Sequence, residues 1–167
     1  IEAFNFMDKE KYSIKKLVIG GNGSNIEHLK NLSREYKLDR KIEFLGYVSD
    51  QRKYFESIDI GVIPSTDNGS ESFPNVLLEH WKYQVPVLMS DIETMKNITI
   101  GMKNAIYFDP YNHQELADKI IYLVNNNNIR ELMVKKARIY LKVNYDINKI
   151  VDQYHRYFQS ELNRFIK

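Results

Sequence analysis

The sequence contains no cysteine, which excludes disulfides and thiolate metal sites. Its net charge is only +2, too small to mark a nucleic-acid partner. No apolar run approaches the roughly 18–20 residues needed to span a bilayer. The opening residues, Ile1-Glu2-Ala3-Phe4, lack the basic and apolar regions of a signal peptide. An initiating Met is also absent, so the chain is expected to be part of a longer polypeptide. His28, His80, His113 and His155 are scattered and show no metal-ligand spacing. They are read as structural or solvated residues, with no metal and no cofactor expected. No Asp-x-Asp pair occurs that could bridge a diphosphate through a metal.

What is present is ordinary for one soluble α/β domain: 43% hydrophobic and 28% charged residues over 167 positions, enough to bury a core without staples. Apolar runs and helical periodicities alternate at short intervals, the pattern of a parallel sheet with crossover helices. Strands are predicted over 16–20, 42–45, 58–64, 86–89 and 105–108. Helices are predicted over 26–36, 50–57, 74–83 and 91–98, then over 114–124, 129–143 and 147–166. Ile1, Phe4 and Met7 recur at helical spacing, and alternation places a strand ahead of them. Asn125 to Asn128 read as a surface turn.

In an open parallel sheet, ligands bind beyond the carboxyl ends of the strands. Residues 20–24, 46–53, 64–76 and 90–94 should therefore meet in one crevice. Gly21 and Gly23 belong to the first of these segments; as a dinucleotide fingerprint the turn fails, because Ile stands at position 26. The segment Glu71-Ser-Phe-Pro-Asn-Val-Leu-Leu-Glu79 crosses a loop-to-helix junction and places a carboxylate at each end. Pro74 suits the first turn of a helix, which leaves the N–H groups of Asn75 and Val76 as donors for a phosphate. Asn75 and Glu79 share one helix face, while Leu77 and Trp81 share a face suited to the core. A carboxylate such as Glu79 can accept two hydrogen bonds from a ribose diol. Glu71 could accept from the hydroxyls of a second sugar. On spacing alone, two glutamates around a helix start are more often capping and helix-dipole residues than ligand contacts. Asp91-Ile92-Glu93 reads as a helix N-cap.

Taken in order, Leu17-Val18-Ile19-Gly20 with Gly23, Ile42-x-Phe44-Leu45-Gly46-x-Val48, Asp59 to Ser65, Glu71 to Glu79 and Val85-Pro86-Val87 resemble the C-terminal domain of family 4 retaining glycosyltransferases. Those enzymes have the GT-B architecture, with two Rossmann-like domains facing each other across a cleft. The resemblance implies a Rossmann-like parallel sheet with helices on both faces, whose first strand and whose acceptor-binding N-terminal domain lie outside this chain. It implies that Glu79 binds the ribose of a nucleoside-diphosphate sugar and that Glu71 is the catalytic carboxylate, touching the transferred sugar. Ser72, Phe73, Pro74, Asn75 and Val76 would line the diphosphate and sugar. Val48 would meet the base through its backbone, with Asp50 and Lys53 nearby.

The family's small residues after the second glutamate are replaced here by His80 and Trp81, and its glycine before Val-Pro by Gln84. Its diphosphate-binding Arg and Lys have no counterpart in the chain, so the chain alone is expected to be inactive. The resemblance implies a cytoplasmic enzyme, possible peripheral association with the inner membrane face, and an acceptor that is a surface glycan or lipid-linked saccharide. The rival readings are a non-catalytic nucleotide-sugar-binding subunit and another GT-B enzyme such as a sugar-nucleotide epimerase. Tyr154, Tyr157, Phe158 and Phe165 read as packing surface, part of it for the N-terminal domain. Lys135, Lys136, Arg138 and Lys142 read as a solvated helix face.

Overall fold

A computed structural model describes residues 1–66, 74–99 and 104–165. The elements run α1 (Glu2–Lys9), β1 (Leu17–Gly20), α2 (Ile26–Glu35), β2 (Ile42–Gly46), α3 (Gln51–Glu56), β3 (Gly61–Ile63), α4 (Asn75–Lys82), β4 (Val87–Ser90), α5 (Glu93–Thr99), β5 (Ile106–Phe108), α6 (His113–Asn125), α7 (Asn127–Asn144) and α8 (Ile147–Phe165). The alternation expected from the sequence is present throughout, and all strand pairs are parallel.

The strands fall into two hydrogen-bonded groups, β1-β2 and β3-β4-β5. Among the described residues β1 pairs with β2 alone and β3 with β4 alone. Side chains of α6 join the two groups. Leu116 and Ile120 of α6 pack both against the apolar cluster of Ala3, Phe4, Met7, Ile42 and Ala117 and against that of Leu88, Phe108, Leu123 and Met133. β4 is buried on both faces, as successive strand residues point to opposite sides. Val87 and Met89 meet Leu77, Trp81, Ile92 and Met95, whereas Leu88 meets Phe108 and Leu123.

The strand expected over 58–64 is shorter than its apolar run. The Ile58 N–H still donates to the Phe55 carbonyl at the end of α3, and the ladder begins only where the Gly61 N–H donates to the Pro86 carbonyl. The turn expected over Asn125 to Asn128 contracts to the single residue Asn126, shared by the ends of α6 and α7. Asp91 is not the cap of α5, which starts two residues later. Its carboxylate pairs with Lys96 at 2.7 Å, and its N–H donates to the Phe108 carbonyl.

Candidate functional site

The carboxyl ends of β1 and β2 close on each other through glycine. Gly21 (φ +113°) donates its N–H to the Gly46 carbonyl at 2.7 Å, and Gly46 itself sits at φ +63°. Both conformations favour glycine over any side chain. Gly23 is exposed with open space where a side chain would stand, and its carbonyl accepts from the Ile26 N–H at the head of α2. Val48 is half-buried, and it and the Tyr54 hydroxyl both come within 3.1 Å of where a Cβ on Gly20 would lie. The end of β1, the loop after β2 and helix α3 thus converge.

Asp50 lies at the start of α3 and accepts from the Lys53 N–H at 3.0 Å, so its carboxylate is engaged as an N-cap. The Lys53 side chain is exposed. Burial raises the Tyr54 phenol pKa, and the Gly20 N–H directed at its oxygen opposes that shift.

Helix α4 supplies the other wall. Pro74 is its N-cap, with extended backbone (φ −78°, ψ 100°), and its carbonyl accepts from the Leu77 N–H. Proline here has no N–H to leave unsatisfied, and Asn75 and Val76 follow as the first helical residues. Asn75 is exposed, Glu79 is half-buried one turn further on, and Leu77 and Trp81 are buried. The division of faces expected from the sequence therefore holds in the structure. Glu79 Oε1 accepts from Gln51 Nε2 at 2.8 Å, joining α4 to the first residue of α3. Gln51 was not foreseen in the sequence. Its only signal was its place directly after the capping aspartate, at the carboxyl end of β2.

His80, next along α4, is buried, and its Nδ1 lies 2.7 Å from the Val76 carbonyl. A carbonyl only accepts, so Nδ1 carries the hydrogen. Burial lowers the His80 pKa, partly opposed by the Val76 contact. Glu71, Ser72 and Phe73 lie outside the described residues. Among the described residues, no group of three His, Asp or Glu side chains is arranged to hold a metal, and no helix is long and apolar enough to cross a membrane.

A parallel α/β fold with glycine-closed strand ends belongs to the class of open sheets that bind ligands beyond the carboxyl ends of their strands. The sequence model for glycosyl transferases group 1 matches residues 1–140, and the chain belongs to that family. It is 30% identical over 135 residues to an uncharacterised glycosyltransferase of Methanocaldococcus jannaschii, covering 78% of this chain and 34% of that protein. It is 28% identical over 109 residues to the O-antigen biosynthesis glycosyltransferase WclY of Escherichia coli, covering 65% of this chain and 30% of the relative. The Anabaena protein HepE, solved in complex with UDP-glucose, shares the fold with a TM-score of 0.80 at 17% identity, over 95% of this chain and 44% of HepE. The chain thus spans less than half of each of these proteins, and its fold is that of GT-B glycosyltransferases.

Proposed function

We propose that this chain forms the nucleotide-sugar-binding part of a retaining glycosyltransferase, moving a sugar from a nucleoside diphosphate to an acceptor hydroxyl. The observation that carries the reading is the half-buried Glu79 on α4, one turn beyond the N–H groups of Asn75 and Val76 and bonded to Gln51 at the start of α3. A helix N-terminus favours a phosphate, and a carboxylate beside it favours a diol, so the pair suits a nucleoside diphosphate. Membership of the group 1 family supports transfer chemistry, and the UDP-glucose bound by HepE supports a nucleotide-sugar donor.

In this reading the anomeric carbon–oxygen bond to the diphosphate breaks, a new bond forms to the acceptor oxygen on the same face of the sugar, and the acceptor's proton goes to the departing diphosphate. Glu71 is the carboxylate assigned to the transferred sugar. Ser72, Phe73 and Pro74 line the sugar and diphosphate, and Val48, Asp50, Lys53, Gly21 and Gly23 surround the base side of the crevice. Positive charge against the leaving diphosphate comes from outside the chain, as does the acceptor-binding domain. No metal or cofactor enters the reaction. The acceptor is assigned as a surface glycan or lipid-linked saccharide, in keeping with the O-antigen role in the name of the Escherichia coli relative. The reaction is assigned to the cytoplasmic side, at the inner face of the membrane.

Calorimetric titration of the full-length polypeptide with UDP, GDP and ADP tests the donor site. One of the three should bind. Glu79→Ala should weaken that binding by about 1.5–3 kcal/mol, the value of a charge-assisted contact. Absence of binding by all three would refute the assignment.

A further inference from the structure

Helices α3 and α4 are locked together where the strands end. Phe55 of α3 is buried and stacks on Tyr83 with ring centroids 5.1 Å apart and 7° between planes. It also meets His80 edge-on at 4.9 Å. Asp50 caps α3, so the backbone of Gln51, the first helical residue, is fixed. From that position the Gln51 amide donates to Glu79 Oε1 at 2.8 Å. The direction of the bond is set by chemistry, because an ionised carboxylate only accepts.

An unrestrained glutamate loses rotamer freedom when it binds two hydroxyls at once. A carboxylate already held by a neighbour has lost that freedom before the ligand arrives, which raises affinity. One N–H donor on Oε1 leaves Oε2 and the remaining lone pairs free to accept. We propose that Gln51 is a positioning residue for the donor site, orienting the Glu79 carboxylate toward the vicinal hydroxyls of a ribonucleotide. The inference rests on reading Glu79 as the ribose acceptor. Gln51 is exposed, so its substitution leaves the core intact. Gln51→Met keeps the length and removes the donor, and Gln51→Glu replaces it with a repelling charge.

The test measures dissociation constants on the full-length polypeptide for the tightest binder among UDP, GDP and ADP, and for its 2′,3′-dideoxy counterpart. The wild type should prefer the ribonucleotide. Gln51→Met and Gln51→Glu should each weaken the ribonucleotide by roughly 5- to 10-fold and leave the dideoxy ligand within about twofold. In a Glu79→Ala background, Gln51→Met should have no further effect on either ligand. An equal loss on both ligands would make Gln51 a clamp between helices and overturn the proposal, as would an undiminished ribose preference in Gln51→Met. Failure of all three nucleotides to bind would remove the donor site itself. A wild type without ribose preference would remove the role of Glu79 while leaving the nucleotide site standing.

Discussion

His80 and Gly61 make a contact that neither residue type announces. A Cβ on Gly61 would overlap the His80 imidazole, so the strand is glycine because the helix carries histidine. Gly61→Ala should destabilise the protein by about 1–3 kcal/mol through overpacking, read as a lower urea midpoint. Gly61→Ala combined with His80→Ala should recover part of that loss, since the obstructing ring is gone. The same histidine makes stability depend on pH. Burial lowers its folded-state pKa below the ordinary 6.5, so between the two values the unfolded chain binds more protons. His80 therefore contributes stability that is fully present above about pH 6.5 and declines as pH falls through that value toward the folded pKa. Urea midpoints between pH 5 and 8 should show this decline in the wild type, and His80→Gln should flatten it. The sequence led to a structural or solvated reading of His80, and the buried role is the one found. Its glycine partner, 19 positions earlier, could not be read from spacing, because contact between a strand and a helix depends on tertiary packing.

Helix α6 carries a larger share of the fold than its length suggests, since its apolar face reaches both groups of strands. Its start is held by Asn112, whose side chain accepts from the Glu115 N–H at 3.0 Å, while Glu115 accepts from the Asp109 N–H at 2.9 Å. Asn112→Ala should lower stability by about 1 kcal/mol, as loss of an N-cap does, with an unchanged denaturant slope. At the far end, Arg130 of α7 donates to the Val124 carbonyl at 2.8 Å and also to the Leu123 carbonyl. Those bonds satisfy carbonyls that a C-cap turn would otherwise serve, which is why four consecutive asparagines do not form the expected loop. Elements were legible where periodicity agreed with glycine punctuation, as at β1 and β2, or with a proline at the helix start, as at α4. They were less legible where a distant side chain took over a backbone's hydrogen bonds, as at α6–α7, or where pairing set the limit, as at β3. The shared face of Asn75 and Glu79 on α4 followed from helical spacing. The Gln51 bond did not, because it joins residues 28 apart whose proximity comes from the packing of α3 on α4.

At the scale of the whole molecule, α8 stands apart. None of its residues is buried, although Ile147, Val151, Tyr154, Phe158, Leu162 and Phe165 form a row at helical spacing, each between 57% and 87% exposed. The sequence led to a packing surface here, and the row stays exposed, with Tyr154 against Phe158 at 6.2 Å. An apolar stripe of this length in water favours association. Its contribution to the chain's own stability should be small, because surface changes away from packed features fall within about 0.5 kcal/mol. Replacing Tyr154, Phe158 and Leu162 together with serine should therefore leave the urea midpoint of the isolated chain nearly unchanged while reducing its self-association in analytical ultracentrifugation. In the full-length polypeptide the same triple substitution should lower the midpoint, because the reading that assigns an acceptor-binding domain to the remaining length also assigns this row to the contact with it. An unchanged midpoint in both would separate α8 from the rest of the polypeptide, and a large loss in the isolated chain would mean that the row is already part of this domain's core.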